Sequence, residues 1–81
     1  MPTNFKLALI QMKVLAGQKE ANLRRAEELV GEAARQGAGV IVLPEAMTLG
    51  WTDVSAKTEA DEIPGGISFL RMQQAAARHG V

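Results

Sequence analysis

Apolar residues in the first half of the chain form two short runs separated by an amphipathic stretch. The first run, from Phe5 to Met12, is nearly continuous, which is typical of a strand buried on both faces. From Lys19 to Gln36 the apolar residues recur at helical spacing, and charged residues fill the opposite face. The second run, from Gly39 to Pro44, predicts another strand, whose pairing should weaken at Pro44 because proline has no N–H for the ladder.

A strand, a helix and a strand in this order imply a βαβ unit with parallel strands and a right-handed crossover. The polar stretch from Ala46 to Gly66 predicts a long loop, and a second helix should run from about Ser68 to His79 with Ser68 as its cap. Gly37 and Gly80 stand where the two helices should end. We therefore expect an α/β fold with the element order βαβα.

Val81 has the character of the first residue of a further strand. Both strands also need cover on two faces, which two short helices can hardly supply. We therefore expect residues 1–81 to be the amino-terminal part of a single domain, truncated after the second helix. Whether the chain is a fragment or a complete product stays open at this point.

Charge and composition exclude several classes of function. Nine basic and nine acidic residues cancel, so the electrostatic footprint of a nucleic-acid-binding protein is absent. There is no cysteine, and the single histidine, His79, cannot build a metal site with the scattered carboxylates. Neither G-x-G-x-x-G nor a phosphate-binding loop with a lysine occurs. The start lacks the layout of a signal peptide and no apolar run could span a membrane, so we expect a cytoplasmic protein without a cofactor.

Glu45 is the residue best placed for chemistry. Ligands of open α/β sheets bind beyond the carboxyl ends of the strands, and Glu45 directly follows the second strand. A carboxylate at that position could act as a general base, but position alone favours a solvated charge where a strand meets a loop. Met47 and Trp51 could line a substrate pocket beside it, or they could be loop anchors packed over the sheet edge.

The residues around Glu45 resemble the first catalytic segment of the nitrilase superfamily. That segment is a glycine followed by an apolar run and Pro-Glu, and then a loop with glycine before an aromatic residue. Here the run is 37–45, and Gly50-Trp51 occupies the last place, where tyrosine is commoner. Three more segments are similar to family segments in the same order: Leu9–Met12 to the opening strand, Glu20–Leu23 to the start of the first helix, and Ile63–Gly66 to the turn before the second.

The resemblance implies an αββα sandwich that hydrolyses nitriles, amides or carbamoyl groups without a metal, commonly as a homo-oligomer. The family uses a Glu, a Lys and a Cys, and only the Glu carries over to this chain, as Glu45. The Lys and the Cys are expected beyond Val81, since Lys57 in the polar loop does not match the family's catalytic lysine. The 81 residues alone are then expected to be inactive.

A function of a different class stays open. The chain could be a non-catalytic βαβα module for homo-oligomerisation or partner binding, because unprotected edges of a small parallel sheet invite pairing with another chain. The residues do not identify a substrate under either hypothesis.

Overall fold

The computed structural model describes residues 4–81 and contains, within that range, a two-stranded sheet and three helices. In chain order the elements are β1 (Lys6–Leu9), α1 (Lys19–Arg35), β2 (Ala38–Val42), α2 (Ala56–Glu59) and α3 (Ile67–His79). The strands pair in parallel, with Leu7 opposite Val40 and Leu9 opposite Val42, as the strand–helix–strand order predicts. This mixed arrangement is compatible with the expected α/β class.

Helix α1 supplies the core onto which the other elements pack. Its apolar positions Leu23, Ala26 and Val30 are buried, as the helical spacing predicts. Leu23 and Ala26 form one cluster with Met47 from the loop after β2. The helix ends before Gly37, whose φ of +93° is a backbone conformation that favours glycine, so the predicted stop is confirmed.

Helix α3 crosses α1 at a glycine. A Cβ on Gly31 of α1 would lie 3.2 Å from Nε2 of His79, in the last turn of α3. The small residue therefore permits the imidazole to approach the backbone of α1. Ala75 is the buried residue of α3.

The predicted capping role of Ser68 is wrong. Gly66 occupies the cap position of α3, and Ser68 lies inside the first turn. Asp61 from the preceding loop accepts hydrogen bonds from Ser68, at 3.3 Å from its backbone N and 2.8 Å from its Oγ. The carboxylate of Asp61 thus accepts hydrogen bonds from the first turn of α3 although it lies outside the helix. Its negative charge also interacts favourably with the helix dipole.

The loop predicted between Ala46 and Gly66 is more ordered than the sequence suggested. It contains the single turn of α2, which is preceded by Asp53 accepting hydrogen bonds from the backbone N–H and the hydroxyl of Ser55. Its far end is joined to α1, because Nζ of Lys19 lies 2.8 Å from Asp61 and donates to the carbonyl oxygen of Glu59. Local side-chain bonds of this kind give a polar segment its structure.

Within the described residues the strands are covered on one face only, which agrees with the argument that two short helices cannot cover a sheet on both sides. Leu7 and Leu9 of β1 are 51% and 70% exposed, and Val40 and Val42 opposite them are 45% and 47% exposed. The sheet is two strands wide, and its helices cover the other face, to which Ala8 and Ile41 belong by strand alternation. We call the exposed residues Leu7, Leu9, Val40 and Val42 the outer sheet face.

Two end features complete the comparison with the sequence. Pairing ends at Val42, two residues before Pro44, as the missing proline N–H predicts. Val81 is outside regular structure, with its N–H donating to the carbonyl oxygen of Ala76 at 3.0 Å, so the predicted strand start is not seen. Within residues 4–81, no helix has the length and apolar character needed to cross a membrane.

A cluster of charges fastens α3 to α1. The guanidinium of Arg71 donates to both carboxylate oxygens of Glu27 and also contacts Glu20. The hydrogen bonds from Arg71 lower the pKa of Glu27, and the two carboxylates raise the pKa of Arg71. The side chains of Arg71 and Glu27 are only 17% and 23% exposed, so water screens this ion pair less than it screens a surface pair.

We predict that Arg71→Met lowers the free energy of unfolding by about 1–2 kcal/mol, the order expected for hydrogen bonds to a charged group after partial screening. Because the pKa of Glu27 is lowered by folding, its contribution is present above the ordinary value of 4.5 and is lost as the pH falls through the lower folded value. The difference between the native protein and Arg71→Met should therefore shrink in acid. Urea unfolding at pH 7 and at pH 3 measures both effects.

Arg24→Met is the matched control for this prediction. Arg24 pairs with Glu20 at 3.4 Å, but both side chains are more than 60% exposed, at 69% and 64%. Such an exposed pair on a helix surface contributes about 0.3–0.5 kcal/mol. Equal losses for Arg24→Met and Arg71→Met would contradict the assignment of the partly buried cluster as the contact that fastens α3.

Candidate active site

Glu45 begins a turn at the carboxyl end of β2. Leu43 and Pro44 lead from the strand to it, and the turn spans residues 45–49. Its side chain is exposed. The next residue, Ala46, has a φ of +54°, a conformation that a residue with a Cβ adopts only when its surroundings hold it. Glu45 therefore stands at the strand end on a backbone of defined shape.

Two buried side chains anchor the turn that follows Glu45. Met47 is 9% exposed and packs against Leu23 and Ala26 of α1, and Leu49 is buried as well. Met47 and Leu49 of this turn therefore lie in the interior, whereas Glu45 is exposed to solvent. Met47 is buried as a loop anchor, although against α1 and not over the sheet edge, and its role in a substrate pocket stays a prediction.

Glycine at position 50 closes the turn. Its N–H donates to the carbonyl oxygen of Ala46 at 2.9 Å, and its φ is +99°. A Cβ at this position would lie 3.2 Å from Cα of Ala16, so a larger residue would meet both backbone strain and a neighbouring loop. The Gly50-Trp51 pair of the family-like segment therefore has a structural reason for its glycine.

Trp51 faces different surroundings from Met47. Its side chain is 70% exposed, whereas Met47 points into the core. The structure therefore does not bring the two predicted lining residues onto one described surface. Trp51 remains available to a ligand or to another part of the protein, and its substrate-binding role stays a prediction.

A buried amide on α1 holds the loops on either side of the site. Asn22 is 1% exposed, and its Oδ1 accepts a hydrogen bond from the N–H of Leu15 at 2.9 Å. Its Nδ2 donates to the carbonyl oxygens of Leu15 at 2.8 Å and Thr48 at 2.9 Å. Close by, the N–H of Gly17 donates to the carbonyl oxygen of Leu49 at 2.8 Å. The loop after β1 and the turn after Glu45 are thereby joined.

The sequence interpretation overlooked Asn22 as a candidate for function. It placed Asn22 only within the segment resembling the start of the family's first helix. A usable signal was present, because Asn22 is adjacent to Leu23 and four residues before Ala26, which puts an amide on the buried side of the helix. A buried amide must find hydrogen-bond partners, and those partners are the loops that border the site.

Glu45 is the candidate site's proton-transfer group, and the residues that such a group would need beside it can be checked in the chain. A carboxylate on an ordered turn can accept and return a proton, but the chain has no cysteine to act as a nucleophile. Lys57 lies on the exposed surface of α2, which agrees with its interpretation as a solvated charge. Among residues 4–81, no group of three or more His, Asp or Glu side chains could hold a metal ion.

Comparison with known proteins identifies related sequences along nearly the whole chain. The model of the carbon-nitrogen hydrolase family matches residues 6–81. An omega-amidase of Mus musculus is 43% identical over 63 residues, which make up 78% of this chain and 22% of the relative. An omega-amidase of Xenopus tropicalis is 36% identical over 77 residues, or 95% of this chain and 27% of the relative.

A more distant relative gives the same result. A nitrilase of Pyrococcus abyssi is 33% identical over 79 residues, which cover 94% of this chain and 30% of the relative. The chain therefore spans less than a third of the length of these curated relatives, between 22% and 30%.

We predict that truncating Met47 and truncating Trp51 have different effects on the free energy of unfolding. Met47→Ala should lower the free energy of unfolding by about 2–3 kcal/mol, because it removes a buried side chain and leaves a cavity against Leu23. Trp51→Ala should change it by less than about 0.5 kcal/mol, as expected for an exposed residue. Urea unfolding of both variants measures the difference, and a large loss for Trp51→Ala would show that Trp51 is packed.

Proposed function

Because this chain belongs to the carbon-nitrogen hydrolase family, the nitrilase superfamily, we propose that Glu45 is the catalytic carboxylate of an enzyme that hydrolyses a non-peptide C–N bond. The observation that carries the proposal is the position of Glu45, which lies three residues after the end of the parallel strand β2 and begins a turn anchored by buried residues. A proton-transfer group needs both access to its substrate and a fixed location, and Glu45 combines an exposed side chain with an ordered backbone.

In the proposed reaction Glu45 accepts the proton of a cysteine thiol. The resulting thiolate attacks the carbon of an amide, and a lysine stabilises the negative charge that develops on the oxygen. When the tetrahedral intermediate collapses, the amine leaves with the proton from Glu45, and a thioester remains. Water then hydrolyses the thioester, with Glu45 taking a proton from the water and returning it to the sulfur. The cysteine and the lysine come from residues other than those of this chain.

The proposed substrate is a small molecule with an amide group, and a nitrile or a carbamoyl amine is the wider class. The names of two relatives, both omega-amidases, favour the amide, whereas the name of the third is nitrilase. We further propose that the complete protein acts in the cytoplasm and, as the family resemblance implies, as a homo-oligomer.

The outer sheet face supports a sandwich architecture for the complete protein. Four apolar side chains of a two-stranded sheet are exposed on that face, while helices cover the opposite one. A second sheet packed there would bury them, which is the arrangement of an αββα sandwich. Residues 1–81 are then the amino-terminal part of one domain. Burial of the outer sheet face against the second sheet would stabilise the fold that holds Glu45.

The same face favours a second candidate function, a non-catalytic module that assembles with itself or with a partner. An exposed apolar face on a small sheet is a typical contact surface. The two functions differ in a simple measurement on the complete protein. Turnover of a small amide supports the hydrolase, whereas a stable assembly without turnover of amides, nitriles or carbamoyl amines supports the module.

We predict that Glu45→Gln in the complete protein lowers kcat by about 10²–10⁴-fold, the usual contribution of a general acid–base group. Glutamine keeps the size and shape of the side chain, but its amide cannot accept the proton. Because Glu45 is exposed, the variant should unfold at the same urea concentration as the native protein. Steady-state ammonia release from a set of small primary amides measures the loss.

Glu59→Gln is the matched control. Glu59 is an exposed glutamate at the end of α2, in the same loop region, and its carboxylate has no assigned role in the site. This variant should retain the native kcat. Activity of Glu45→Gln within threefold of the native protein would remove Glu45 from the mechanism.

A further inference from the structure

Asn22 connects helix α1 to the turn that carries Glu45. We propose that Asn22 is a positioning residue that sets the place of the Glu45 carboxylate during the reaction, an inference that rests on the proposed function. Asn22 itself is buried and does not reach solvent, so its effect on the reaction must pass through the backbone of the turn. The relevant contact is the hydrogen bond from Nδ2 of Asn22 to the carbonyl oxygen of Thr48, at 2.9 Å.

The location of Asn22 is itself well fixed. It lies one turn into a helix of 17 residues, next to Leu23, which is 1% exposed. Its amide also bonds to both backbone groups of Leu15, at 2.9 and 2.8 Å, so the side chain cannot rotate without losing those bonds. The side-chain amide of Asn22 is therefore held in one place, and its hydrogen bond to Thr48 positions the turn of residues 45–49.

The turn transmits that position to Glu45 as a unit. Thr48 lies three residues after Glu45, and between them the side chain of Met47 is held in the core. The hydrogen bond from Gly50 to Ala46 closes the turn across Thr48, at 2.9 Å. Displacement of the Thr48 carbonyl therefore moves Ala46, which is bonded directly to Glu45. An error of about 1 Å in the place of a catalytic group can cost about 10²-fold in rate.

The test uses the complete protein and compares Asn22→Ala with the core variant Val30→Ala. Val30 is a buried residue of the same helix, two turns further on, with no bond to the turn. Both variants lose stability, but only Asn22→Ala should lower kcat, by roughly 10- to 100-fold, with KM changed by less than about threefold. All rates are measured well below the unfolding transition and are expressed per folded molecule.

Asn22→Asp provides a second variant of nearly the native volume. When the new carboxyl group is ionised, it faces the carbonyl oxygens of Leu15 and Thr48 and cannot donate to either. Below the pKa of the new carboxyl group, the neutral acid donates one hydrogen bond again. The deficit of this variant relative to the native protein should therefore shrink as the pH falls, whereas a loss of packing alone would not recover in acid. This variant also decides the question if Asn22→Ala does not fold.

Amide hydrogen exchange gives a readout that does not need activity. In Asn22→Ala and Asn22→Asp, the N–H groups of Gly50 and Gly17 should exchange at least about tenfold faster relative to the middle of α3, because the turn opens locally. In Val30→Ala this ratio should stay as in the native protein. Faster exchange together with the drop in kcat is the result that supports the proposal.

Two outcomes overturn the proposal, and they separate it from the proposed function. A native kcat for a folded Asn22 variant, alongside an inactive Glu45→Gln, shows that Glu45 is catalytic but does not depend on Asn22. A native kcat for Glu45→Gln overturns the catalytic role of Glu45, and with it any role for Asn22 in placing that carboxylate.

Discussion

The buried side of α1 is the constraint on which the rest of the structure depends. Leu23 and Ala26 are almost completely inaccessible, and the loop after β2 reaches them through Met47. The two strands alone could not define a fold, since a two-stranded sheet is marginal in water without a helix packed against it. Because the same helix also carries Asn22, the face that makes the core also determines where the carboxyl end of β2 turns.

Much of this fold follows from the spacing of apolar residues. Helix α1 and the parallel pairing of the strands were predictable, because helical spacing and the strand–helix–strand order each allow few alternatives. The start of α3 was not predictable in this way. Ser68 has the right chemistry for a cap, but Asp61, seven residues earlier, accepts the hydrogen bond from its hydroxyl group. Contacts between residues that are distant along a loop leave little trace in local sequence patterns.

The candidate site divides in the same way. The position of Glu45 at a strand end was predictable from the apolar run and Pro44, and its chemical meaning came from the family-like segment around it. The pattern could not decide whether Met47 faces a pocket or the core, because an apolar residue in a loop satisfies either. Nor could it reveal the bond from Asn22 to Thr48, which joins residues 26 positions apart through a backbone carbonyl that carries no residue-specific signal.

Carboxylates of this chain are held in place in two different ways. Glu27 and Asp61 contact Arg71 and Lys19, and those contacts lower their pKa values and hold separate elements together. The cation stabilises the ionised form of a carboxylate paired in this way, so the carboxylate accepts a proton less readily. Glu45 has no ion-pair partner among the described residues, and its position is fixed through the backbone instead. Under the proposed function, placing Glu45 by its main chain leaves its carboxylate oxygens open to a substrate, whereas a salt bridge would occupy them.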